Sequence, residues 1–230
     1  MHPPSAEGHV KATDVFVSCS FGKQAVTKMS TKDKQKVYAQ WSETYEQDSL
    51  DNDYVAWPIC AEKIFAVMSN MASEENISRP FKLVDVGCGT GYLGTLVSDR
   101  LKSTDISAFL VGVDFSSEML EKARNKKCYD KLIVADINHP LPTEARAMDI
   151  AVAMGVFVEG HCDASALPNV LACLRKNGIA LITIRSTTIV KFEQEYLQAV
   201  ADSKCEIVQR DEQMYFGPAK AEYWTVRKTV

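Results

Sequence analysis

The sequence has no apolar run that approaches the roughly 20 residues needed for a membrane-spanning helix, which disfavours a membrane partner. Its seven cysteines include no CxxC pair, so the sequence predicts neither a metal centre nor a disulfide framework. A basic excess is also missing, since the net charge is −4, and a broad surface for nucleic acid is therefore disfavoured. The segment Val15-Phe16-Val17 is too short for the core of a secretory signal, and scattered cysteines are typical of a reducing compartment. We therefore expect a cytoplasmic protein.

The chain has the composition of an ordinary globular domain. It has 230 residues, of which 46% are hydrophobic and 24% are charged, and this length is sufficient to bury one core. Residues 1–30 mix Pro, Ser, Gly and Lys with little periodicity, so we expect a flexible tail there. Residues 31–230 are predicted to form a single domain.

The segment from Leu83 to Gly94 carries the strongest functional signal. An apolar run ends at Asp85, and glycines then alternate with small residues before a helix-compatible stretch. Glycines permit tight turns and let a ligand approach the backbone, while the N–H groups of the following helix point toward that ligand. The segment therefore predicts a strand–loop–helix site for a cofactor.

Two cofactor patterns fit this segment. Gly89-x-Gly91-x-x-Gly94 satisfies the dinucleotide fingerprint, whereas Asp85-x-Gly87-x-Gly89-x-Gly91 resembles motif I of class I S-adenosylmethionine-dependent methyltransferases. A carboxylate at Asp85 would repel a pyrophosphate but suits a ligand with an ammonium group and a sulfonium. We therefore favour S-adenosylmethionine, with S-adenosylhomocysteine as the product, and keep a NAD-dependent enzyme as the alternative.

The strands predicted downstream support this choice. The apolar run 109–113 ends at Asp114, which lies 23 residues after Gly91, where a carboxylate can accept both ribose hydroxyls. The run 131–134 leads to Asp136, and the run 148–153 leads to Met154. In the family that this sequence resembles, an acid near the third strand faces the adenine amino group.

The resemblance implies a Rossmann-like α/β fold. Its seven-stranded sheet is mostly parallel, with an antiparallel C-terminal strand pair and helices on both faces. From periodicity and turn signals we predict helices over 31–45, 54–72, 164–176 and 192–201, with Asn177-Gly178 stopping the third. Beyond the four strands already described, strands are predicted over 179–184, 205–209 and 221–228, the last two joined by a long linker containing Gly217-Pro218. The residues implied to contact the cofactor are Tyr38, Trp41, Tyr45, Asp85, Gly87, Cys88, Gly89, Thr90, Gly91, Asp114, Phe115, Met119, Ala135, Asp136, Ile137 and Met154.

The first predicted helix carries an aromatic stripe. Tyr38, Trp41 and Tyr45 follow at steps of three and four, so they share one face of a continuous helix. A core stripe is the plain interpretation; the resemblance favours a helical lid over residues 31–74, because aromatic faces attract a sulfonium. This segment, with Tyr54 and Gly160-His161, more particularly resembles the methyltransferase-like proteins of the Williams–Beuren syndrome critical region. Glu46 stands where those proteins more usually have Asp.

The acceptor is less well specified than the cofactor. Phe157 and His161 follow the fourth strand, and we interpret both as substrate-binding candidates, with His161 as the first and Glu159 and Tyr45 as weaker candidates for a base. No residue is assigned as catalytic. The exit Met154-Gly155-Val156-Phe157 lacks the Asn/Asp-Pro-Pro-Tyr/Phe arrangement of certain amino-methylating enzymes, and no Pro-Cys pair is present. A small molecule is the leading acceptor, a protein or peptide the second and RNA the third. A non-catalytic module that binds S-adenosylmethionine stays open.

Overall fold

The structure is a computed structural model, and it describes residues 31–75 and 79–230. The tail predicted over residues 1–30 lies outside the described residues. Within the described ranges, no helix combines the length and the apolar character that crossing a bilayer would require.

One seven-stranded sheet organises the described chain, in the spatial order β3-β2-β1-β4-β5-β7-β6. The first five of these strands run parallel, while β7 pairs antiparallel with both β5 and β6. This confirms the predicted fold class. The strands are β1 (Phe81–Val86), β2 (Ala108–Asp114), β3 (Lys131–Val134), β4 (Met148–Phe157), β5 (Leu174–Arg185), β6 (Cys205–Phe216) and β7 (Ala219–Lys228).

Helices cover both faces of the sheet, and each face has its own core. Along β1 the alternation of a strand sends Leu83 into one core and Val84 into the other. Leu83 shares its core with Trp57, while Val84 shares its core with Leu167. The helices are α1 (Thr31–Trp41), α2 (Tyr45–Asp51), α3 (Ala56–Glu75), α4 (Tyr92–Leu101), α5 (Ser117–Lys126), α6 (Leu167–Leu171) and α7 (Ser186–Asp202), with short 3₁₀ turns at Thr143–Ala145 and Ala164–Ala166.

The first predicted helix is wrong in its extent, because it ends at Trp41 and a second helix begins at Tyr45. Ser42 donates a side-chain hydrogen bond to the carbonyl of Ala39, which is a local competitor of helix propagation. Asp48 then accepts hydrogen bonds from the Trp41 indole and the Thr44 hydroxyl, each at 2.8 Å. Two short helices therefore replace one long helix.

The helix predicted over 164–176 is also wrong in its extent, because the helical residues end at Leu171 and β5 begins at Leu174. Asn177-Gly178 lies inside β5 rather than after a helix, and Asn177 has a φ of +62° at a register shift between β4 and β5. A Cβ on Gly178 would lie 2.9 Å from the carbonyl oxygen of Met148, so strand pairing requires the glycine. Pairing with β4 therefore overrides the local stop signal.

The C-terminal part of the chain is more regular than predicted. The prediction of a long linker between the last two strands is wrong, because only Gly217-Pro218 separates β6 from β7. The last helix begins at Ser186, well before the predicted residue 192, and Phe192 departs from helical geometry with a φ of −132°.

Candidate functional site

The carboxyl ends of β1, β2 and β4 meet at a central cavity of about 870 Å³, counting the part open to solvent. This is where ligands bind in open parallel sheets. The sequence-predicted residues that line it are Tyr38, Tyr45, Gly87, Gly89, Asp114, Phe115, Met119, Ala135, Asp136, Ile137, Met154 and His161. Lining residues that the sequence did not single out are Lys34, Val86, Val113, Asn138, Gly155, Val156 and Cys162.

The glycine turn brings bare backbone to the cavity. Gly87, Gly89 and Gly91 all have positive φ angles, of +76°, +54° and +85°. A Cβ on Gly87 would lie only 2.6 Å from a methyl carbon of Val156. Gly91 is the N-cap of α4, so the free N–H groups of that helix begin at the turn. Gly91 does not itself line the central cavity among the described residues.

Gly94 serves packing in this structure. A Cβ there would lie 2.3 Å from the ring of Tyr129. The close packing of α4 against Tyr129 therefore explains Gly94, which is the third glycine of the dinucleotide fingerprint.

Asp114 occupies the end of β2 and is buried. One carboxylate oxygen accepts the N–H of Gly89 and the other accepts the N–H of Ser116, each at 2.9 Å. Burial raises the pKa of Asp114 to about 6, although the hydrogen bonds from Ser116 and Gly89 oppose the shift. Each oxygen keeps a lone pair, so the carboxylate can still accept hydroxyl groups of a ligand.

Asp85 is likewise buried, and its carboxylate accepts a 2.6 Å hydrogen bond from the Tyr129 hydroxyl. Burial raises the pKa of Asp85 to about 7; the bond from Tyr129 lowers it and the neighbouring Asp114 raises it further. Asp85 faces a second space, the glycine-loop cavity, which it shares with Gly87, Gly89 and other residues of the turn. The predicted residues Cys88 and Thr90 also line that space.

Cys88 lies buried in the glycine turn, and Thr90 connects the turn to neighbouring helices. Burial raises the pKa of the Cys88 thiol well above its usual value, which keeps it a neutral thiol. The Thr90 hydroxyl donates a hydrogen bond to the carboxylate of Glu46, on α2. Lys126, on α5, forms an ion pair with the same Glu46 and donates a 2.9 Å hydrogen bond to the carbonyl of Thr90. Glu46 therefore joins α2 to the glycine turn.

The aromatic residues of the predicted lid pack together although they lie on two helices. The ring centroids of Tyr38 and Trp41 are 5.7 Å apart, and those of Trp41 and Tyr45 are 4.8 Å apart. Tyr38 also meets Phe115 edge-to-face at 5.4 Å. Tyr38 and Tyr45 line the central cavity, whereas Trp41 does not.

His161 closes one side of the central cavity, with its Nδ1 atom 2.9 Å from the Tyr38 hydroxyl. Burial lowers the pKa of His161 to about 4, with a further contribution from the charge of Lys34. The imidazole is therefore neutral at pH 7 and a weak proton acceptor. Glu159 forms an ion pair with Lys191 and does not line the central cavity among the described residues.

The structure does not place Phe157 at a substrate site. Its side chain is fully buried and packs edge-to-face on Tyr196, with 5.7 Å between ring centroids. We predicted Phe157 as a substrate-binding residue because it follows the apolar run 148–153. In the structure β4 continues through Phe157, and the side chain of Phe157 lies in the core.

A third space, the aromatic cavity, adjoins the central cavity. It measures about 470 Å³ with its open part, and it shares Tyr38, Tyr45, Gly155 and His161 with the central cavity. Its other lining residues are Trp41, Ser49, Tyr54, Val158, Arg185, Tyr215 and Phe216. Arg185 follows the strand predicted over 179–184, and Tyr215 and Phe216 fall in the linker predicted between the last two strands, so no local signal marks them as site residues.

Residues 77–226 match a family model described as a methyltransferase domain. The chain belongs to this methyltransferase-domain family. Among curated proteins, it is 32% identical over 99 residues to trans-aconitate 2-methyltransferase of Pseudomonas paraeruginosa, covering 43% of this chain and 34% of the relative. It is 28% identical over 87 residues to 18S rRNA (guanine-N(7))-methyltransferase of Bos taurus, covering 38% of this chain and 28% of the relative. The matches thus span about a third of those relatives' length.

Solved structures show the same fold. An S-adenosylmethionine-dependent methyltransferase from Clostridium acetobutylicum superposes with a TM-score of 0.58 at 14% identity, covering 84% of this chain and 99% of that one. The N-methyltransferase NodS from Bradyrhizobium japonicum, in complex with S-adenosyl-L-homocysteine, superposes with a TM-score of 0.55 at 13% identity, covering 77% of this chain and 89% of that one.

Proposed function

We propose that this protein is an S-adenosylmethionine-dependent methyltransferase with a small-molecule acceptor. The observation that carries the proposal is the combination of a bare glycine turn with the buried Asp114 carboxylate at the carboxyl ends of parallel strands. The family membership supports the reaction class.

The residues present fit the cofactor. Gly87 leaves backbone exposed where a side chain would collide with Val156, and Asp114 retains acceptor capacity for a ribose. Met119 and Ile137 offer apolar contact for an adenine, and Asp136 offers an acceptor. Asp85 provides a carboxylate for the amino-acid end of the ligand. When bound, S-adenosylmethionine supplies a methyl group, and the electron pair of the broken C–S bond stays on sulfur in S-adenosylhomocysteine.

The chain contributes alignment and exclusion of water rather than a strong base. Tyr38 and Tyr45 cover the cavity, and correct orientation of two reactants is worth about 7–11 kcal/mol in well-oriented cases. Neutral His161 faces the same space without adding a positive charge beside a sulfonium.

We also propose the class of acceptor, the finer family resemblance and the cellular location. The net charge of −4 supports a small molecule over RNA, although one relative is named for an rRNA guanine. The Tyr38–Tyr45 segment and Gly160-His161 support the finer resemblance to the Williams–Beuren-region group. The scattered cysteines support a cytoplasmic location.

Calorimetry with S-adenosylhomocysteine and NAD tests the cofactor. We expect S-adenosylhomocysteine to bind and Asp114→Asn to weaken it at least 10-fold, because the amide cannot accept on both sides of the group. The matched control is Asp130→Asn, since Asp130 accepts the N–H of Leu110 at 2.7 Å and does not line the central cavity. Tighter binding of NAD would contradict the proposal.

Turnover of labelled S-adenosylmethionine on small-molecule and peptide panels tests the acceptor. Label in a small molecule supports the proposal, and label only in peptides favours a protein acceptor. Cofactor binding without any transfer would favour a non-catalytic module.

A further inference from the structure

We propose that Tyr129 is a positioning residue for the cofactor, because its hydroxyl holds the Asp85 carboxylate as the anion that receives the ammonium group of S-adenosylmethionine. Tyr129 acts through Asp85, since it lines neither the central cavity, the glycine-loop cavity nor the aromatic cavity. The inference rests on the proposed function and adds to it a dependence of cofactor binding on pH.

Tyr129 lies in a slot made by three glycines. It belongs to the short segment between α5 and β3. A Cβ on Gly94 would lie 2.3 Å from its ring, one on Gly91 would lie 3.1 Å from it, and one on Gly112 would lie 3.3 Å from it. Gly91 and Gly94 stand at the start of α4, while Gly112 on β2 pairs with Asp85 on β1. The missing side chains therefore let the ring reach Asp85 across two elements.

The Tyr129 hydroxyl donates a 2.6 Å hydrogen bond to one oxygen of Asp85, a residue that is only 3% exposed. Burial raises the pKa of Tyr129 well above its usual value, so the phenol keeps its proton and stays a donor. Among the described residues, no other group donates a hydrogen bond to this carboxylate. A hydrogen bond to the charged form of a carboxyl group favours that form, and such charge-assisted bonds are strong.

Asp85 supplies the charge of the glycine-loop cavity. Among the described residues that line this cavity, it is the only charged side chain. The rings of Trp57 and Tyr92 stack at the same cavity, with 4.3 Å between their centroids. Aromatic faces attract a cation, but the main partner for an ammonium group in this space is the carboxylate. The strength of binding should therefore follow the ionisation of Asp85.

Most titratable groups around Asp85 stay neutral near pH 7. Burial raises the pKa of the thiols and phenols of Cys60, Cys88, Cys128, Tyr54 and Tyr129. Other ionisable groups of this region are the phenols of Tyr45 and Tyr92 and the ion pairs Glu46–Lys126 and Lys63–Asp211. Asp85, with a pKa of about 7, and Asp114, with a pKa of about 6, are therefore the groups expected to change charge in the neutral range.

The test measures two ligands by calorimetry on the full chain between pH 5.5 and pH 8.5. The ligands are S-adenosylhomocysteine and 5′-deoxy-5′-methylthioadenosine, which shares the nucleoside and the thioether but lacks the amino-acid end. The ratio of the two affinities therefore cancels the titration of Asp114 beside the ribose. We expect this ratio to fall by about 5-fold or more in the wild type as pH drops across the range, because Asp85 becomes protonated.

Tyr129→Phe keeps the ring in its slot and removes only the donor. The pKa of Asp85 should then rise further, so the affinity ratio should be lower than in the wild type by about 3-fold or more at pH 7. The difference should shrink toward pH 8.5, where Asp85 is ionised in both proteins. A packing defect would instead lower the affinity equally at every pH.

Tyr223→Phe is the matched control. The Tyr223 hydroxyl donates a 2.9 Å hydrogen bond to the carbonyl of Met214, and Tyr223 lies outside the three cavities. This variant loses a comparable hydrogen bond, but it should keep the wild-type pH profile.

A second pair of variants tests whether Tyr129 acts through Asp85. In Asp85→Asn the affinity ratio should not vary with pH, and adding Tyr129→Phe should not change it further. If Tyr129→Phe does not give a folded protein by thermal melting, 3-fluorotyrosine in place of Tyr129 decides. Its phenol is a stronger donor, so the midpoint of the profile should move to lower pH.

A flat ratio in the wild type, a loss in Tyr129→Phe that is equal at every pH, or an effect of Tyr129→Phe that persists with Asp85→Asn would overturn the inference. An unshifted midpoint with 3-fluorotyrosine would overturn it as well. Binding of S-adenosylhomocysteine to the wild type at pH 8.5 is the check on the proposed function. Its absence would contradict that function and this inference with it, whereas binding without the expected pH profile would remove this inference alone.

Discussion

At the scale of single residues, Asp85 and Asp114 are two buried carboxylates that influence each other. Burial raises the pKa of both, to about 7 and about 6, and Asp114 adds to the shift at Asp85. A carboxyl group with a raised pKa keeps its proton in the folded protein at a pH where the unfolded chain has lost it. The free energy of unfolding therefore falls as pH rises from about 4 to about 7.

We expect Asp85→Asn to remove much of this pH dependence. His161 acts in the opposite sense, because its lowered pKa makes the folded protein more stable as pH rises from about 4 to 6.5. The informative quantity is thus the difference between variant and wild type. Urea unfolding followed at several pH values should show the variant gaining more than ~1 kcal/mol on the wild type between pH 4 and 7, since one pKa unit corresponds to about 1.4 kcal/mol. A constant difference across that range would contradict the assignment.

Some single residues, such as the glycines of the turn, could be predicted from the sequence, whereas others could not. The positive φ angles of Gly87, Gly89 and Gly91 agree with the sharp turn that the glycine pattern predicts, because few other residues adopt that backbone geometry. Arg185 and Tyr129 could not be predicted in the same way. Their partners lie 30 or more residues away in the chain, at Tyr215 and Asp85, and no local pattern encodes such a pairing.

At the scale of elements, the two short helices α1 and α2 contribute Tyr38 and Tyr45 to the lining of the central cavity, and we propose that they form its cover. Glu46 on α2 contacts both Thr90 in the glycine turn and Lys126 on α5. The sequence identified Glu46 only as a departure from a more usual Asp. In the structure, Glu46 connects α2 to the glycine turn through its hydrogen bond with Thr90.

We expect Glu46→Gln to speed the release of S-adenosylhomocysteine. Loss of the charge weakens the contact between α2 and the glycine turn. The ion pair of Glu46 with Lys126 is partly exposed, so it contributes at most about 1 kcal/mol to the stability of the fold. Stopped-flow tryptophan fluorescence, with Trp41 in α1 as a reporter, should show a dissociation rate about 3- to 10-fold faster. The melting temperature should change little.

The matched control for this variant is Glu43→Gln. Glu43 precedes α2 and forms a 2.7 Å ion pair with Lys122 on α5. Glu43 belongs to the same covering segment, but its ion pair does not involve the glycine turn, so it should leave the dissociation rate unchanged. Equal rates in both variants would show that Glu46 does not hold the cover.

At the scale of the whole molecule, Asp149 links several segments at the amino ends of the parallel strands, opposite the site. It is fully buried and accepts hydrogen bonds from Arg79 at 2.6 Å, from Arg175 at 2.5 Å and from the N–H of Lys82 at 2.8 Å. Burial alone would raise the pKa of Asp149, but these donors outweigh it and hold the pKa at about 2. The stabilisation it provides is therefore present above pH 4 and lost as pH falls toward 2.

We expect Asp149→Ala to lower the free energy of unfolding by about 1–3 kcal/mol, because the N–H of Lys82 and two partly exposed guanidinium groups lose their acceptor. The affinity of the folded protein for S-adenosylhomocysteine should stay the same. Urea denaturation and calorimetry measure the two effects separately. Asp211→Asn is the control, since its ion pair with Lys63 is partly exposed and should contribute at most about 1 kcal/mol. A loss no larger than that control would contradict the proposed role of Asp149.

The sequence by itself determined the order of strands along the chain, the glycine turn and the carboxylates at successive strand ends. These are local properties, since each depends on neighbouring residues and on the alternation of a strand. The seven-stranded fold class inferred by resemblance is confirmed by the strand order and by the antiparallel pairing of β7.

The tertiary structure decided what local signals could not. Strand pairing with β4 placed Asn177-Gly178 inside β5, and the break after Trp41 brought Glu46 to the glycine turn. The same packing turned Phe157 into the core and set Arg185 beside the aromatic cavity. The break after Trp41 depends on hydrogen bonds between near neighbours in the chain. In the other cases the deciding interaction joins residues distant in the chain, so its free energy is gained only once the sheet and its helices have assembled.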